Sequence, residues 1–120
     1  MMTVETASDA DTTTPGEPRP IDGQRELDEF VADNEVVLAD FYADWCGPCQ
    51  MIAPIVDRLA SETDAAVAKV DVDANQQLAA AYGVRGVPTL VLFADGEPVE
   101  EIVGVQGEDQ LRSLIGRYTE

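Results

Sequence analysis

The sequence predicts an α/β domain whose mixed central sheet of four to five strands is covered by helices on both faces. Two nearly continuous apolar runs, 36–42 and 66–72, have the composition of central strands that are buried on both sides. Segments with helical periodicity separate these runs. The pair Asp95-Gly96 joins two later apolar runs and predicts an antiparallel hairpin. Parallel strands with crossover helices, followed by a hairpin, give a mixed sheet.

The start of the chain is polar. Residues 1–18 are rich in Thr, Asp, Glu and Pro, and they predict a disordered acidic tail before a single domain over 19–120. Neither a basic segment nor an apolar run of the secretory type is present here, so we do not expect a signal peptide. Residues 18–21 predict a short edge strand, although their prolines prevent regular ladder pairing.

The remaining elements follow from periodicity and from turn residues. Asp22 is a predicted N-cap for the first helix. Gly83 is expected to close the third helix, and the last helix has apolar positions at i, i+3, i+4 and i+7. The predicted elements are a helix over 23–33, a strand over 36–42, a helix over 47–63, a strand over 66–72, a helix over 75–82, strands over 89–93 and 98–103, and a helix over 107–118.

The only two cysteines lie in the motif Trp45-Cys46-Gly47-Pro48-Cys49, where a predicted strand leads into a helix. Cys46 is expected at the helix N-terminus, where unpaired N–H groups and the helix dipole favour the nucleophilic thiolate. Cys49 lies one turn further along, so the two sulfurs can close a small disulfide. This arrangement predicts attack by Cys46 on a partner's disulfide and resolution of the mixed disulfide by Cys49.

Two other interpretations of the cysteine pair are weaker. A zinc site needs about four ligands, and this chain has two cysteines and no histidine. A purely structural disulfide is also a weak interpretation, because so short a loop constrains little of the unfolded chain. A redox dithiol beside a strand–helix pattern is the interpretation that the spacing favours, and we expect no metal.

Asp40 and Lys69 are candidates for supporting roles. Asp40 is the one carboxylate inside an apolar strand, so its burial would raise its pKa and let it accept the proton of Cys49. The alternative is an aspartate at the end of the strand that points to solvent. Lys69 is the only lysine, and the two central strands would bring it near Asp40. The alternative for Lys69 is an ordinary surface lysine.

The motif after an apolar strand resembles the active site of the thioredoxin family. The resemblance covers about residues 21–120 and includes Asp40-Phe41, Pro54, Lys69, Val87-Pro88-Thr89 and Gly104 in the family's order. It implies the thioredoxin fold and a protein-disulfide reductase that needs no cofactor and receives electrons from a separate thioredoxin reductase. It also assigns the proton-accepting role to Asp40. Two positions depart from the family pattern. Gln50 stands where many members have a basic residue, and Tyr42 stands where many have Trp.

The resemblance further implies a surface that binds client proteins. It predicts a cis peptide at Val87-Pro88 opposite the dithiol, although only about one X–Pro bond in twenty is cis in general. We define the docking patch as the six residues implied to contact clients: Trp45, Gly47, Pro48, Val87, Pro88 and Gly104. Val103 and Val105, on either side of Gly104, together with it resemble the family's third docking segment. A small apolar patch in an acidic surface suits a protein-docking redox carrier.

Two other functions remain open for this fold. Relatives that oxidise or isomerise disulfides usually have histidine between the cysteines, whereas this chain has Gly47-Pro48 and no histidine. A non-catalytic adaptor would use the fold only for binding, and two intact cysteines above Asp40 argue against it. We therefore expect a reductase that acts on disulfide-containing client proteins, for which insulin is a convenient probe.

The net charge and the cysteine content limit the classes of binding partner and the cellular compartment that we expect. The chain has 24 acidic and 7 basic residues, for a net charge of −17, so nucleic acid and anionic membranes are unfavourable partners. No apolar run approaches the ~20 residues of a membrane helix. A single redox pair of cysteines fits a reducing cytoplasm, and we expect a monomer there.

The acid-rich, lysine-poor composition resembles that of proteins from salt-loving cells, so we predict that molar salt stabilises the fold by screening self-repulsion. Thermal unfolding in dilute buffer and in concentrated KCl checks this, with a higher melting temperature expected in KCl. Equal stability in the two solutions would instead indicate a merely acidic protein without salt dependence.

Overall fold

The computed structural model describes residues 16–119, so residues 1–15 of the predicted tail lie outside the described part of the chain. Within that part, five strands and four helices follow the predicted order. The strands are β1 (Arg19–Pro20), β2 (Val36–Tyr42), β3 (Ala66–Asp71), β4 (Thr89–Ala94) and β5 (Glu97–Val103). The helices are α1 (Gln24–Asp33), α2 (Gly47–Glu62), α3 (Gln76–Ala81) and α4 (Glu108–Gly116).

One mixed sheet has the strand order β1-β3-β2-β4-β5. The central strand β2 is parallel to β3 and antiparallel to β4, while β5 completes the hairpin at one edge. At the other edge β1 has only two residues and runs parallel to β3. The predicted mixed sheet is therefore confirmed with five strands, and the prolines beside Arg19 keep the first strand short.

Alternation along β2 divides the core between the two faces of the sheet. Val37, Ala39 and Phe41 pack on the face that α1 and α3 cover. Val36 and Leu38 pack on the opposite face, beneath α2 and α4. The second face of β2 continues to Asp40, close to the end of the strand from which the chain turns into α2. The core therefore determines on which side of the sheet α2 lies.

Two predicted glycine turns are confirmed, and one predicted helix cap is wrong. Asp95 and Gly96 both have positive φ, 53° and 88°, as the tight hairpin between β4 and β5 requires. Gly83, with φ of 70°, ends the turn after α3. The N-cap of α1 is Gly23 and not Asp22. Glycine adopts the φ of 95° found at this position with little strain, and the Gly23 N–H is bound by a different loop.

An ion-pair network links α4 to α2, the two helices that cover the Val36 and Leu38 face of the sheet. Glu108, in the first turn of α4, accepts hydrogen bonds from Arg58 of α2 and from Arg112 one turn further along α4. Arg112 also pairs with Glu62 at the end of α2. The two guanidinium groups lower the pKa of Glu108 to about 2.

None of the helices within 16–119 is long and apolar enough to cross a membrane.

Candidate active site

The two cysteines occupy the first turn of α2, as their spacing predicts. Cys46 is the N-cap of the helix, and its Sγ accepts a hydrogen bond from the Cys49 N–H at 3.1 Å. The two side chains form a disulfide, with their Cα atoms 5.2 Å apart. Pro48 lies in this first turn, where a missing N–H leaves no hydrogen bond unmade. The sulfur of Cys46 therefore lies at the N-terminal end of α2, where a helical N–H donates to it.

The disulfide is almost completely buried by neighbouring side chains. Cys46 and Cys49 are only 3% and 4% exposed, and they form a cluster with Ala43. The partly buried side chains of Tyr42, Val72 and Val87 pack against this cluster. Within residues 16–119, no group of three or more His, Cys, Asp or Glu side chains is placed to hold a metal ion. The surroundings of the sulfurs are thus mainly apolar.

Asp40 is buried, so the alternative of a solvent-facing aspartate is wrong. It is 1% exposed. Burial raises the pKa of Asp40, and the nearby Lys69 only partly opposes this effect. Its Oδ2 accepts a hydrogen bond from Lys69 at 3.0 Å, whereas its Oδ1 has no hydrogen-bond partner among the described residues. Lys69 therefore binds one carboxylate oxygen of Asp40 and leaves the other without a hydrogen bond from the described residues.

Lys69 is held from two sides, so it is not an ordinary surface lysine. It is the parallel register partner of Asp40 across β2 and β3. Its Nζ lies 4.4 Å from the centroid of the Tyr42 ring, an arrangement that attracts a cation. The phenol ring thereby connects the Asp40–Lys69 pair to the cysteine cluster. Burial is the main cause that raises the pKa of Tyr42, and Asp71, Asp44 and Asp40 add to it.

The residues of the docking patch lie on three neighbouring segments. Trp45 is 71% exposed, and Gly47 and Pro48 are exposed beside it. The Val87-Pro88 peptide is cis, as expected, with Val87 partly buried against the cysteine cluster and Pro88 buried. Gly104 donates its N–H to the Pro88 carbonyl at 2.9 Å. This hydrogen bond brings the third segment to the second.

The two valines beside Gly104 are exposed, and one aspartate adds to the residues that the sequence predicts for this surface. Val103 and Val105, on either side of Gly104, are 66% and 46% exposed. The indole N–H of Trp45 donates to Asp73 Oδ2 at 2.8 Å. Asp73 was not among the residues predicted from the sequence. The signal that could have found it was its position in the turn after β3, because the turns that follow two neighbouring parallel strands lie at the same edge of the sheet.

Comparison with known proteins agrees with this geometry. The family model described as Thioredoxin matches residues 21–117. The chain belongs to the thioredoxin family. A mutant thioredoxin from Halobacterium salinarum NRC-1 has a TM-score of 0.87 and 70% sequence identity, and the match covers 91% of this chain and 96% of that chain. The thioredoxin of Fasciola hepatica has a TM-score of 0.77 and 39% identity, over 82% of this chain and 97% of that chain.

Curated relatives give the same assignment. The thioredoxin of Mycobacterium tuberculosis is 48% identical over 85 residues, which cover 69% of this chain and 73% of the relative. The thioredoxin of Staphylococcus epidermidis is 46% identical over 88 residues, which cover 72% and 85%. The protein therefore has the thioredoxin fold and is a thiol-disulfide oxidoreductase of the protein-disulfide reductase type. Thioredoxins act without a cofactor.

The raised pKa of Asp40 predicts a pH-dependent effect of Asp40→Asn on stability. The folded state keeps the proton to a higher pH than the unfolded chain, so wild-type stability falls as pH rises from 3.8 through the raised value. Asp40→Asn removes this cost. We expect a higher free energy of unfolding than wild type at pH 7 and little difference below pH 3.8, measured by urea unfolding of the oxidised proteins.

The matched control is Asp57→Asn, which changes an exposed aspartate on α2. It should leave stability within about 0.5 kcal/mol of wild type across the pH range, as is usual for surface substitutions. An equal gain at neutral and at acid pH for Asp40→Asn would show that the titration of Asp40 has no part in the effect.

Proposed function

We propose that Cys46 is the nucleophile and Cys49 the resolving cysteine of this thioredoxin. In the reduced protein the Cys46 thiolate attacks a client disulfide, so that a Cys46–client bond forms and the other client sulfur leaves as a thiolate. Cys49 then attacks Cys46 Sγ, the Cys46–Cys49 disulfide forms, and the second client sulfur is released. Two electrons pass from the protein to the client.

The observation that carries this assignment is the different position of the two sulfurs in α2. Cys46 Sγ accepts a hydrogen bond from a helical N–H, and the same donor would stabilise a thiolate at Cys46. Cys49 lies inside the helix and supplies that N–H from its own backbone. The first sulfur is therefore suited to attack and the second to release what has been captured.

Asp40 is proposed as the proton acceptor for Cys49. Resolution requires a Cys49 thiolate, and a buried carboxylate with a raised pKa is a better base near neutral pH than an ordinary aspartate. Lys69 holds one oxygen of the carboxylate and leaves the other available. Its proposed role is to orient Asp40 and to limit the rise of the Asp40 pKa, since its charge favours the ionised form.

The docking patch is proposed as the client-binding surface. Its exposed members, Trp45, Gly47 and Pro48, surround a disulfide that is otherwise covered. An extended client segment can pair with backbone groups of Val87, while Gly104 and the exposed valines beside it offer an apolar contact. The mainly apolar surface, within a chain of net charge −17, favours proteins over small charged disulfides as substrates.

Family membership implies a reductase and disulfide-containing clients as partners in general. For this chain we propose that a separate thioredoxin reductase returns electrons to the Cys46–Cys49 disulfide. We further propose a monomer that works in a reducing cytoplasm, supported by the use of cysteine only for the redox pair. Residues 19–120 are proposed as the functional domain.

The test uses insulin as client in two assays: turnover with dithiothreitol as electron donor, and trapping of the mixed disulfide with pre-reduced protein from which the dithiothreitol has been removed. In Cys49→Ser the resolving thiol is absent, so we expect a stable Cys46–insulin adduct on non-reducing gels and turnover reduced by at least about a hundredfold. In Cys46→Ser we expect the same loss of turnover without an adduct, because the nucleophile is absent.

The two variants are controls for each other, since each removes a single sulfur from the same turn. An adduct in Cys46→Ser and none in Cys49→Ser would reverse the proposed roles. Insulin reduction by the wild-type protein that is no faster than with dithiothreitol alone would indicate a binding adaptor, and full turnover in either variant would contradict the proposed role of the cysteine that it lacks. Net oxidation of a reduced client by the wild-type protein would favour the oxidase or isomerase alternative.

A further inference from the structure

A buried asparagine lies close to the active site without belonging to it. Asn75 precedes α3 and is 8% exposed, yet both polar atoms of its side chain are bonded. Its Oδ1 accepts the N–H of Gly23, the N-cap of α1, at 2.8 Å. Its Nδ2 donates to the Asp71 carbonyl at 3.0 Å. One side chain therefore joins the beginning of α1 to the end of β3.

The turn that Asn75 closes carries the partner of Trp45. Asp73 lies in this turn, between Asp71 and Asn75, and its own N–H donates to Asp71 Oδ1 at 2.9 Å. Asp73 Oδ2 then accepts the indole N–H of Trp45 at 2.8 Å. These hydrogen bonds form a continuous path from Gly23 through the turn to the indole ring.

Trp45 depends on this hydrogen-bond path for its orientation, because few other contacts restrain its side chain. The side chain is 71% exposed, so packing restrains it little. Asp73 is exposed as well, and its position depends on the turn over 71–75. Exposed side chains lose conformational entropy when a partner orders them, and a ring that is already oriented loses less. Fixing Asp73 therefore favours client binding through Trp45.

We propose that Asn75 is a positioning residue for the client-binding surface. It holds the turn over 71–75, this turn holds Asp73, and Asp73 orients Trp45 beside the disulfide. The proposal rests on the proposed docking role of Trp45. It assigns to Asn75 an effect on client affinity and none on the chemistry of the sulfurs.

Asn75→Ala tests the proposal with two readouts. Trp45 is the only tryptophan, so the fluorescence anisotropy of the oxidised protein reports the freedom of this one ring. We expect lower anisotropy and a KM for insulin raised about three- to tenfold, the range that corresponds to the loss of one net hydrogen bond. The kcat and the reduction potential of the Cys46–Cys49 pair should stay at wild-type values.

Asn34→Ala is the matched control. Asn34 is a partly buried asparagine whose side chain also donates to a backbone carbonyl, that of Phe30, but it lies at the far end of α1. This variant should lower stability without changing Trp45 anisotropy or the KM. Equal effects of the two variants on anisotropy and KM would overturn the proposal, because they would reduce the role of Asn75 to general stability.

A double-mutant cycle tests the route through Asp73. Asp73→Ala removes the acceptor of the indole N–H from an exposed position, so this variant should fold. We expect it to reproduce the anisotropy and KM of Asn75→Ala, and the double variant should be no worse than either single variant. Additive changes in KM would overturn the route through Asp73.

A second variant keeps the proposal testable if Asn75→Ala does not fold. Asn75→Asp keeps an acceptor for Gly23 and loses the donor to the Asp71 carbonyl, so it too should lower Trp45 anisotropy. Unchanged anisotropy or unchanged KM in a folded Asn75 variant would overturn the proposal. An unchanged KM in Trp45→Ala would instead overturn the docking role of Trp45, which distinguishes the two failures.

Discussion

The active site depends on the position of the N-terminus of α2 over the end of β2. The chain leaves β2 at Tyr42 and enters α2 at Gly47, with only four residues between. The sheet face that α2 covers is set by Val36 and Leu38, whose side chains pack beneath it. Because the helix packs on this face, its first turn places Cys46 and Cys49 just beyond the end of β2, where Tyr42 and Val87 pack against them.

Asp40 is a carboxylate kept in the core near the end of β2, beneath α2. Burial of Asp40 opposes its ionised form, and its Oδ1 has no partner among the described residues. An apolar side chain at this point of β2 would pack beneath α2 without that cost. The proposed role of Asp40 as a proton acceptor would account for a carboxylate at a position where it lowers stability. Lys69 limits the cost by holding the other oxygen of the carboxylate, and the Tyr42 ring in turn holds Lys69.

Much of this architecture could be predicted from local pattern. The apolar runs of β2 and β3 and the Asp95-Gly96 turn follow rules that act over a few residues, and the structure confirms them. The cysteine spacing likewise predicted a pair of sulfurs in the first turn of a helix. Burial of Asp40 was predicted because apolar residues surround it within the strand, and their burial takes the aspartate into the core with them.

The contacts that sequence analysis missed join residues far apart in the chain. The cap of α1 was assigned to Asp22 because local rules favour aspartate, whereas Gly23 is bound by Asn75 from the loop after β3. The bond between Trp45 and Asp73 and the stacking of Lys69 on Tyr42 also depend on how β2 and β3 are paired. Such contacts follow from register, which a single sequence does not specify residue by residue.

The central claim is that the first turn of α2 holds Cys46 ready as a thiolate. The most direct measurement is the rate of alkylation of Cys46 by iodoacetamide as a function of pH, in Cys49→Ser so that one thiol is present. We predict a midpoint at least about one pH unit below the ~8.5 of free cysteine. A midpoint at the value of free cysteine would contradict it.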